Sequence, residues 1–283
     1  MNTTIYNSAL SVSIKHFGAE LFSLKDNQNN EYIWEGNPSF WSKHSPVLFP
    51  IVGTLKNDTY TIDGKEYQLP RHGFARDMDF QLIDKTESKA IFSLKSDPET
   101  LQKYPFEFEL QLIYTIENTT LSIEYKVINT GQNKMPFSIG AHPAIALPQT
   151  FENYAFQFEK QEVLEYYLLE NDLISNKTKV LESQNNLIPL HYELFKNDAL
   201  IFKTLESNSL TLLQNSKPYI KVEFEDFPSL GIWTKTQAPF ICIEPWLGYS
   251  DTAENSGDLF KKEGVLILES FQTFNSKFTI SIL

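Results

Sequence analysis

Two arginines occur in the whole chain, Arg71 and Arg76, and both lie in the hexapeptide Arg71-His72-Gly73-Phe74-Ala75-Arg76. Every other basic residue apart from histidine is lysine. Lysine serves wherever a solvated point charge is enough, so arginine used twice around one histidine marks positions that need a planar fork of several donors. Sugar hydroxyls or a phosphate are the natural acceptors. Arg76 could instead simply pair with Asp77 or Asp79 as a surface bridge. His72, flanked by positive charge, is expected to stay neutral and to work as a hydrogen-bonding imidazole.

A second histidine, His142, ends an apolar run in Ser138-Ile139-Gly140-Ala141-His142-Pro143-Ala144. The following proline holds it extended, and Gly140 and Ala141 leave room beside the ring, which presents the imidazole to a cleft. His16, His44 and His191 lack such surroundings and read as structural or solvent-facing. Glu269 interrupts the apolar run Val265 to Phe271. Alternation leaves two registers open. Either Glu269 shares a buried face with Ile267 and Phe271, where a raised pKa would suit a general base, or these face solvent while Leu266 and Leu268 form the core. Finally, Cys242-Ile243-Glu244-Pro245-Trp246-Leu247-Gly248-Tyr249-Ser250-Asp251 ends a strand with two acids and two aromatics, the materials of a sugar platform with Glu244 and Trp246 as candidates, though Trp246 could equally be core.

The elements that must position these groups are strands. Aromatic residues make up 14% of the chain, with 22 Phe and 13 Tyr, and period-2 runs cover Ala9 to Lys15, Tyr60 to Tyr67, Phe106 to Tyr114, Leu121 to Ile128, Ile220 to Phe224 and Lys277 to Leu283. Turns fall between them at Asp63-Gly64, Asn118-Thr119-Thr120 and Thr130-Gly131. One short helix is predicted, opened by the capping box Ser96-Asp97-Pro98-Glu99 and running to about Tyr104. The class is all-β, with strands this numerous expected to stack as two large antiparallel sheets. No repeat, low-complexity tract or linker divides the chain, so residues 1–283 are expected to form a single β domain.

Composition narrows the partners. With 283 residues, 41% hydrophobic and 21% charged, a sizeable core is expected. A formal net charge of -12 repels phosphate backbones and anionic lipid heads, which excludes nucleic acid and membrane surfaces. No apolar run reaches the roughly 18 residues of a membrane span and the start lacks a secretory pattern, so a cytoplasmic protein is expected. A single cysteine, Cys242, forbids any intrachain disulfide and any cysteine-based zinc site. Its apolar neighbours place it in a buried strand.

In these segments the sequence resembles the aldose 1-epimerases, or mutarotases, most closely their LacX-type branch, and is similar to hexose-6-phosphate mutarotases. The resemblance runs in order through PVLFPIVG, the Asp63-Gly64 hairpin, RHGFARDMDF, PFSIGAHPAI, ICIEPWLGYSD and LILESF. It implies a large antiparallel β-sandwich of the galactose mutarotase-like supersandwich type with very little helix, acting on a small-molecule sugar without cofactor or metal. It further implies interconversion of the α and β anomers of an aldohexose by ring opening and closure. Carried over residue by residue, Glu269 would take the proton of the C1 hydroxyl and His142 would protonate the ring oxygen. His72 would hold the substrate, Arg71 and Arg76 would grip hydroxyls or a phosphate, and Asp198 would match a further family acid. Two departures stand out. Leu268 precedes Glu269 where relatives usually carry glycine, and Thr54 replaces a basic residue that phosphate binding would favour, with Lys43 and Lys56 as substitutes. The rival readings are a carbohydrate-binding or regulatory protein without turnover, a glycoside-processing enzyme built on Glu244, Asp251 and Glu269, and a metal enzyme using His72, His142 and Glu269. The particular sugar and the oligomeric state, with a homodimer among the options, are left open.

Overall fold

Alternation along the longest strands shows how the sequence builds its layers. Phe108–Glu117 and Thr120–Asn129 each bury every second residue and pair across the two-residue turn at Asn118-Thr119, with Glu117 opposite Thr120. The computed structural model describes all 283 residues. These two strands lie inside a nine-stranded antiparallel sheet, whose neighbours include Thr273–Ile282, Lys217–Glu223 and Ser209–Gln214 on one side and Lys89–Lys95 and Gln81–Lys85 on the other. An eight-stranded sheet carries, in spatial order, Leu173–Leu181, Leu164–Glu170, Leu200–Phe202, Ser229–Trp233, Phe240–Leu247, Ile139–Ala141 and Val47–Leu48, with Ala144–Ala146 also paired to Phe240–Leu247. The two sheets form an antiparallel β-sandwich. They share one apolar cluster of 64 residues that draws Leu210, Leu212, Ile220 and Val222 from the first sheet and Phe202, Leu230, Ile241 and Ile243 from the second.

The turn chemistry appears as the sequence predicts. Thr59–Ile62 and Lys65–Gln68 form a hairpin closed by Asp63 and Gly64 at φ 50° and 79°, the twist that matches paired antiparallel strands. The helix spans Pro98–Lys103, but its cap is Asp97 rather than Ser96: Asp97 accepts from the Thr100 N–H while the Thr100 hydroxyl accepts from the Asp97 N–H.

The central strand Phe240–Leu247 is buried at all eight positions, because both its faces are covered. Ile241 and Ile243 enter the inter-sheet core, whereas Phe240, Cys242, Glu244 and Trp246 point to the opposite face, where Trp34, Trp41, Trp233, His72 and His142 gather. Period-2 geometry thus brings a carboxylate, an indole and a thiol to one side of one strand.

The long connection from Asp26 to Val47 is pinned by Glu20. Its Oε1 accepts from the backbone N–H groups of His44 and Ser45, at 2.7 and 3.2 Å, and its Oε2 lies 3.2 Å from Lys15 Nζ. Burial opposes the charge, but the His44 hydrogen bonds and Lys15 outweigh it and lower the Glu20 carboxyl to about 2. A folded-state pKa below the unfolded value stabilises above the unfolded pKa, and that stabilisation is lost as pH falls through the folded one. Glu20→Gln is therefore expected to cost on the order of 2–3 kcal/mol at pH 7. The gap from the parent should narrow between pH 4.5 and about 2. Urea denaturation across that range tests it, and a gap independent of pH would refute it.

Candidate active site

The sequence Arg71-His72-Gly73 forms a tight loop because two successive residues adopt left-handed backbone, His72 at φ 68° and Gly73 at φ 70°. At Gly73 a side chain is impossible: a Cβ would stand 2.2 Å from the Phe49 carbonyl oxygen. The loop is locked by a reciprocal pair of hydrogen bonds. The His72 N–H donates to the Gly53 carbonyl at 2.8 Å, and the Gly53 N–H donates to His72 Nδ1 at 3.0 Å. Burial, with His142 and Arg71 adding to it, holds His72 well below the ordinary histidine pKa. A neutral ring whose Nδ1 accepts must carry its proton on Nε2. Arg71 Nε lies 3.3 Å from that Nε2, so with the ring proton there the contact joins two donors and is not a hydrogen bond.

The Gly53 segment is itself anchored from below. Thr54 N–H donates to Ser250 Oγ, Asp251 N–H donates to the Thr54 carbonyl, and Lys56 N–H donates to Asp251 Oδ2. Asp251 is ion-paired at 3.1 Å with Lys262, the two side chains being 2% and 1% exposed. Lys262 also donates to the Tyr249 carbonyl. This buried pair holds the platform on which His72 is oriented.

Above it lies a cavity of about 310 Å³. Its floor is His142 and Glu244, with His142 Nε2 3.2 Å from Glu244 Oε2. They are close but poorly aligned, since Glu244 Oε2 has no well-formed hydrogen bond, and His142 Nδ1 and Trp246 Nε1 are likewise buried without a partner. Buried polar groups are normally satisfied, so these atoms mark where a polar ligand would complete the site. Trp246 sits in a slot made by small residues on both flanking strands. A Cβ on Gly140 or on Gly231 would stand 2.6 Å from its indole. Trp41 stacks on the His142 ring at 4.7 Å and 28°, and Trp233 meets the same ring edge-on at 6.0 Å. Arg71, Arg76 and Asp198 complete the wall. Arg71 is held by Asp172 at 3.1 Å, and Arg76 donates to the Arg71 carbonyl at 2.8 Å and lies beside Asp77.

Electrostatics follow from burial. Glu244 is 1% exposed, and burial pushes its carboxyl well above the ordinary range; Arg71 opposes this and the like charge of Asp198 adds to it. Burial also lowers His142 to about 3, with Arg76 and Arg71 contributing. Two groups so close titrate together, and between their two steps the pair holds one proton.

Of the residues singled out from sequence, Arg71, His72, Arg76, His142, Asp198, Glu244 and Trp246 all line this cavity. Glu269 does not. It lies just beyond the short strand Leu266–Leu268, its side chain is 61% exposed, and it pairs with Lys134 at 2.7 Å. The register is the second of the two that alternation allows: Leu268 is buried while Ile267 and Phe271 face solvent. The buried carboxylate beside His142 is instead Glu244. Asp251, offered with Glu244 and Glu269 as a hydrolytic set, is consumed by Lys262, so only Glu244 of the three faces the cavity. His72, His142 and Glu269 likewise form no common metal set. Trp41 and Trp233 were missed. Neither lies in a motif, and only the placement of aromatic planes beside sugar-binding polar groups could have raised them.

The chain matches the family described as Aldose 1-epimerase over residues 1–266. The chain belongs to the aldose 1-epimerase family. Protein LacX, encoded on a plasmid of Lactococcus lactis subsp. lactis, is 35% identical to it over 302 residues, with all of both chains covered. A galactose mutarotase related enzyme from Lactobacillus acidophilus superposes with a TM-score of 0.95 at 35% identity, covering 100% of this chain and 97% of that one. A galactose mutarotase-like protein from Lactobacillus casei gives 0.95 at 32%, with full coverage of both. This aldose 1-epimerase family member therefore carries a galactose mutarotase-like fold and is a mutarotase-type isomerase. No helix in it is long and apolar enough to cross a membrane.

Proposed function

We propose that this aldose 1-epimerase family member interconverts the α and β anomers of an unphosphorylated aldohexose or close derivative, with Glu244 and His142 as the acid–base pair. The observation that carries the reading is the buried contact of Glu244 with His142 on the floor of a cavity walled by arginines and tryptophans. In the Glu244-carboxylate, His142-imidazolium tautomer, Glu244 takes the proton of the C1 hydroxyl while His142 protonates the ring oxygen. The C1–O5 bond breaks to give the aldehyde. Rotation about C1–C2 turns the carbonyl over, and closure on its other face returns both protons. One proton enters the pair and one leaves, so the pair needs no net exchange with solvent. His72 Nε2–H is placed to stabilise charge growing on a sugar oxygen, and the tryptophans offer apolar faces to the C–H side of the ring.

Charge pairing favours a neutral sugar over a phosphate. Arg71 and Arg76 already face Asp172 and Asp77, Lys43 is paired with Asp77, and Lys56 donates to the Ala253 carbonyl. Polarimetry or NMR of freshly dissolved α-D-glucose and α-D-galactose is expected to show faster anomer exchange with the protein. Exchange spectroscopy on hexose 6-phosphates should show little. Binding without acceleration on every sugar would replace this reading with that of a carbohydrate-binding protein.

The coupled pair also sets the pH profile. A second proton reaches His142 only near pH 3, and the single proton leaves only at the raised pKa of Glu244. Turnover should therefore persist through mildly acidic pH, with an acid limb well below the ordinary histidine pKa of 6.5 and an alkaline limb above the ordinary carboxylate range. Initial rates corrected for spontaneous mutarotation test this; an acid limb near 6.5 would contradict it.

A further inference from the structure

Beneath the proposed acid–base pair lies a thiol for which the reaction has no use. The nearest ligand atoms of His142, Cys242 and Glu244 all lie within 4.8 Å of one another, and all three residues are buried. We propose that these three side chains form a binding site for one soft divalent cation of the Zn²⁺ or Cd²⁺ kind.

The strands make the grouping rigid. Cys242 and Glu244 are two residues apart on one face of Phe240–Leu247, and Ala144, two residues after His142, pairs directly with Cys242 across the ladder. Imidazole nitrogen, thiolate sulfur and carboxylate oxygen are the three donor types Zn²⁺ accepts, whereas Mg²⁺ and Ca²⁺ prefer oxygen alone. Tetrahedral coordination at about 2.0–2.3 Å sets ligand atoms about 3.3–3.8 Å apart, so atoms now within 4.8 Å of one another would close in by up to ~1.5 Å. His142 Nε2 lies 3.2 Å from Glu244 Oε2, and Glu244 Oε2 is buried without a well-formed partner, so the carboxylate need not abandon a hydrogen bond to bind. Capture would release the Cys242 thiol proton and the proton of the Glu244–His142 pair to water. Thiolate and carboxylate then neutralise the dication, which a pocket holding Arg71 and Arg76 requires. Water would take the fourth position. The sequence expectation that a single cysteine forbids any cysteine-based zinc site holds for sites built from several thiolates; a mixed set needs only one.

Occupancy would also stop turnover, a consequence that rests on the acid–base reading of Glu244 and His142, whereas the binding itself does not. Cd²⁺ titrated into protein stripped with EDTA is expected to give thiolate-to-cadmium charge-transfer absorption that saturates at one equivalent. Cys242→Ser should abolish the band and weaken Cd²⁺ binding by at least ~10-fold. Zn²⁺ should inhibit anomer exchange by the native protein, reversibly with EDTA, while Cys242→Ser retains turnover at the same Zn²⁺ concentration. Cys242→Ala serves if the serine variant does not fold, and ¹¹³Cd NMR of the native chain reports sulfur ligation without any substitution. Absence of the band and of a sulfur-ligated ¹¹³Cd signal in native protein would overturn the site, as would unchanged Cd²⁺ affinity in a folded Cys242 variant. A band accompanied by undiminished turnover would leave the metal site standing and remove Glu244 and His142 from the acid–base role.

Discussion

Glu244→Gln is expected to lower kcat for anomer exchange by ~10²–10⁴, with sugar affinity changed less than about tenfold, while Glu269→Gln stays close to the parent. The amide keeps the shape and one acceptor of the carboxyl but cannot take up and return a proton, so the loss falls on the chemical step. Glu269 offers the internal control. It is an exposed partner of Lys134, and an exposed ion pair is worth about 0–1 kcal/mol. His142→Asn should lose turnover comparably, and the double variant with Glu244→Gln should lose little more than either alone, as members of one proton-transfer unit do. Polarimetric rates and calorimetric affinities on the parent and the four variants check this together. Retained turnover in Glu244→Gln, or its loss in Glu269→Gln, would return the role to the C-terminal segment.

The misplacement of Glu269 shows what alternation can and cannot decide. In Leu266-Ile267-Leu268 every residue is apolar, so period 2 defines two faces without saying which is inward. The partner decides it: the segment pairs only with Met135–Phe137 in a two-stranded ribbon, which leaves Ile267 42% exposed. By contrast, Phe108 to Asn129 alternates between polar and apolar residues, and there both register and turn were legible. Phe240–Leu247 lies between these cases. Its apolar run announces a strand buried on two sides, and spacing puts Cys242, Glu244 and Trp246 on one face, but only the neighbouring strands reveal that this face borders a cavity. The glycine-bearing loop at His72 was legible because its chemistry is local. Trp41 and Trp233 were not, because they reach the site from the long Asp26–Val47 connection and from the end of the Ser229–Trp233 strand.

Lys262→Met should be the most damaging single change outside the cavity, costing about 3–5 kcal/mol in chemical denaturation. It leaves Asp251 buried with its charge opposed only by the Lys56 N–H and the Asn255 side chain. Asp251→Asn should also destabilise, since Lys262 would keep its charge in a site where burial already lowers its pKa, Asp251 being the chief opposing influence. Removing both charges in the double variant should recover part of the loss, because the penalty comes from the unpaired ion rather than from the missing attraction. The effect reaches the chemistry through the backbone. Asp251 holds Thr54 and Lys56, the adjoining Gly53 N–H fixes the His72 tautomer, and His72 presents Nε2–H to the cavity. At a temperature where Lys262→Met remains folded, kcat/KM should therefore fall while the double variant regains part of it. Equal stability for the single and double variants would show instead that the pair contributes only packing, and that His72 is oriented without it.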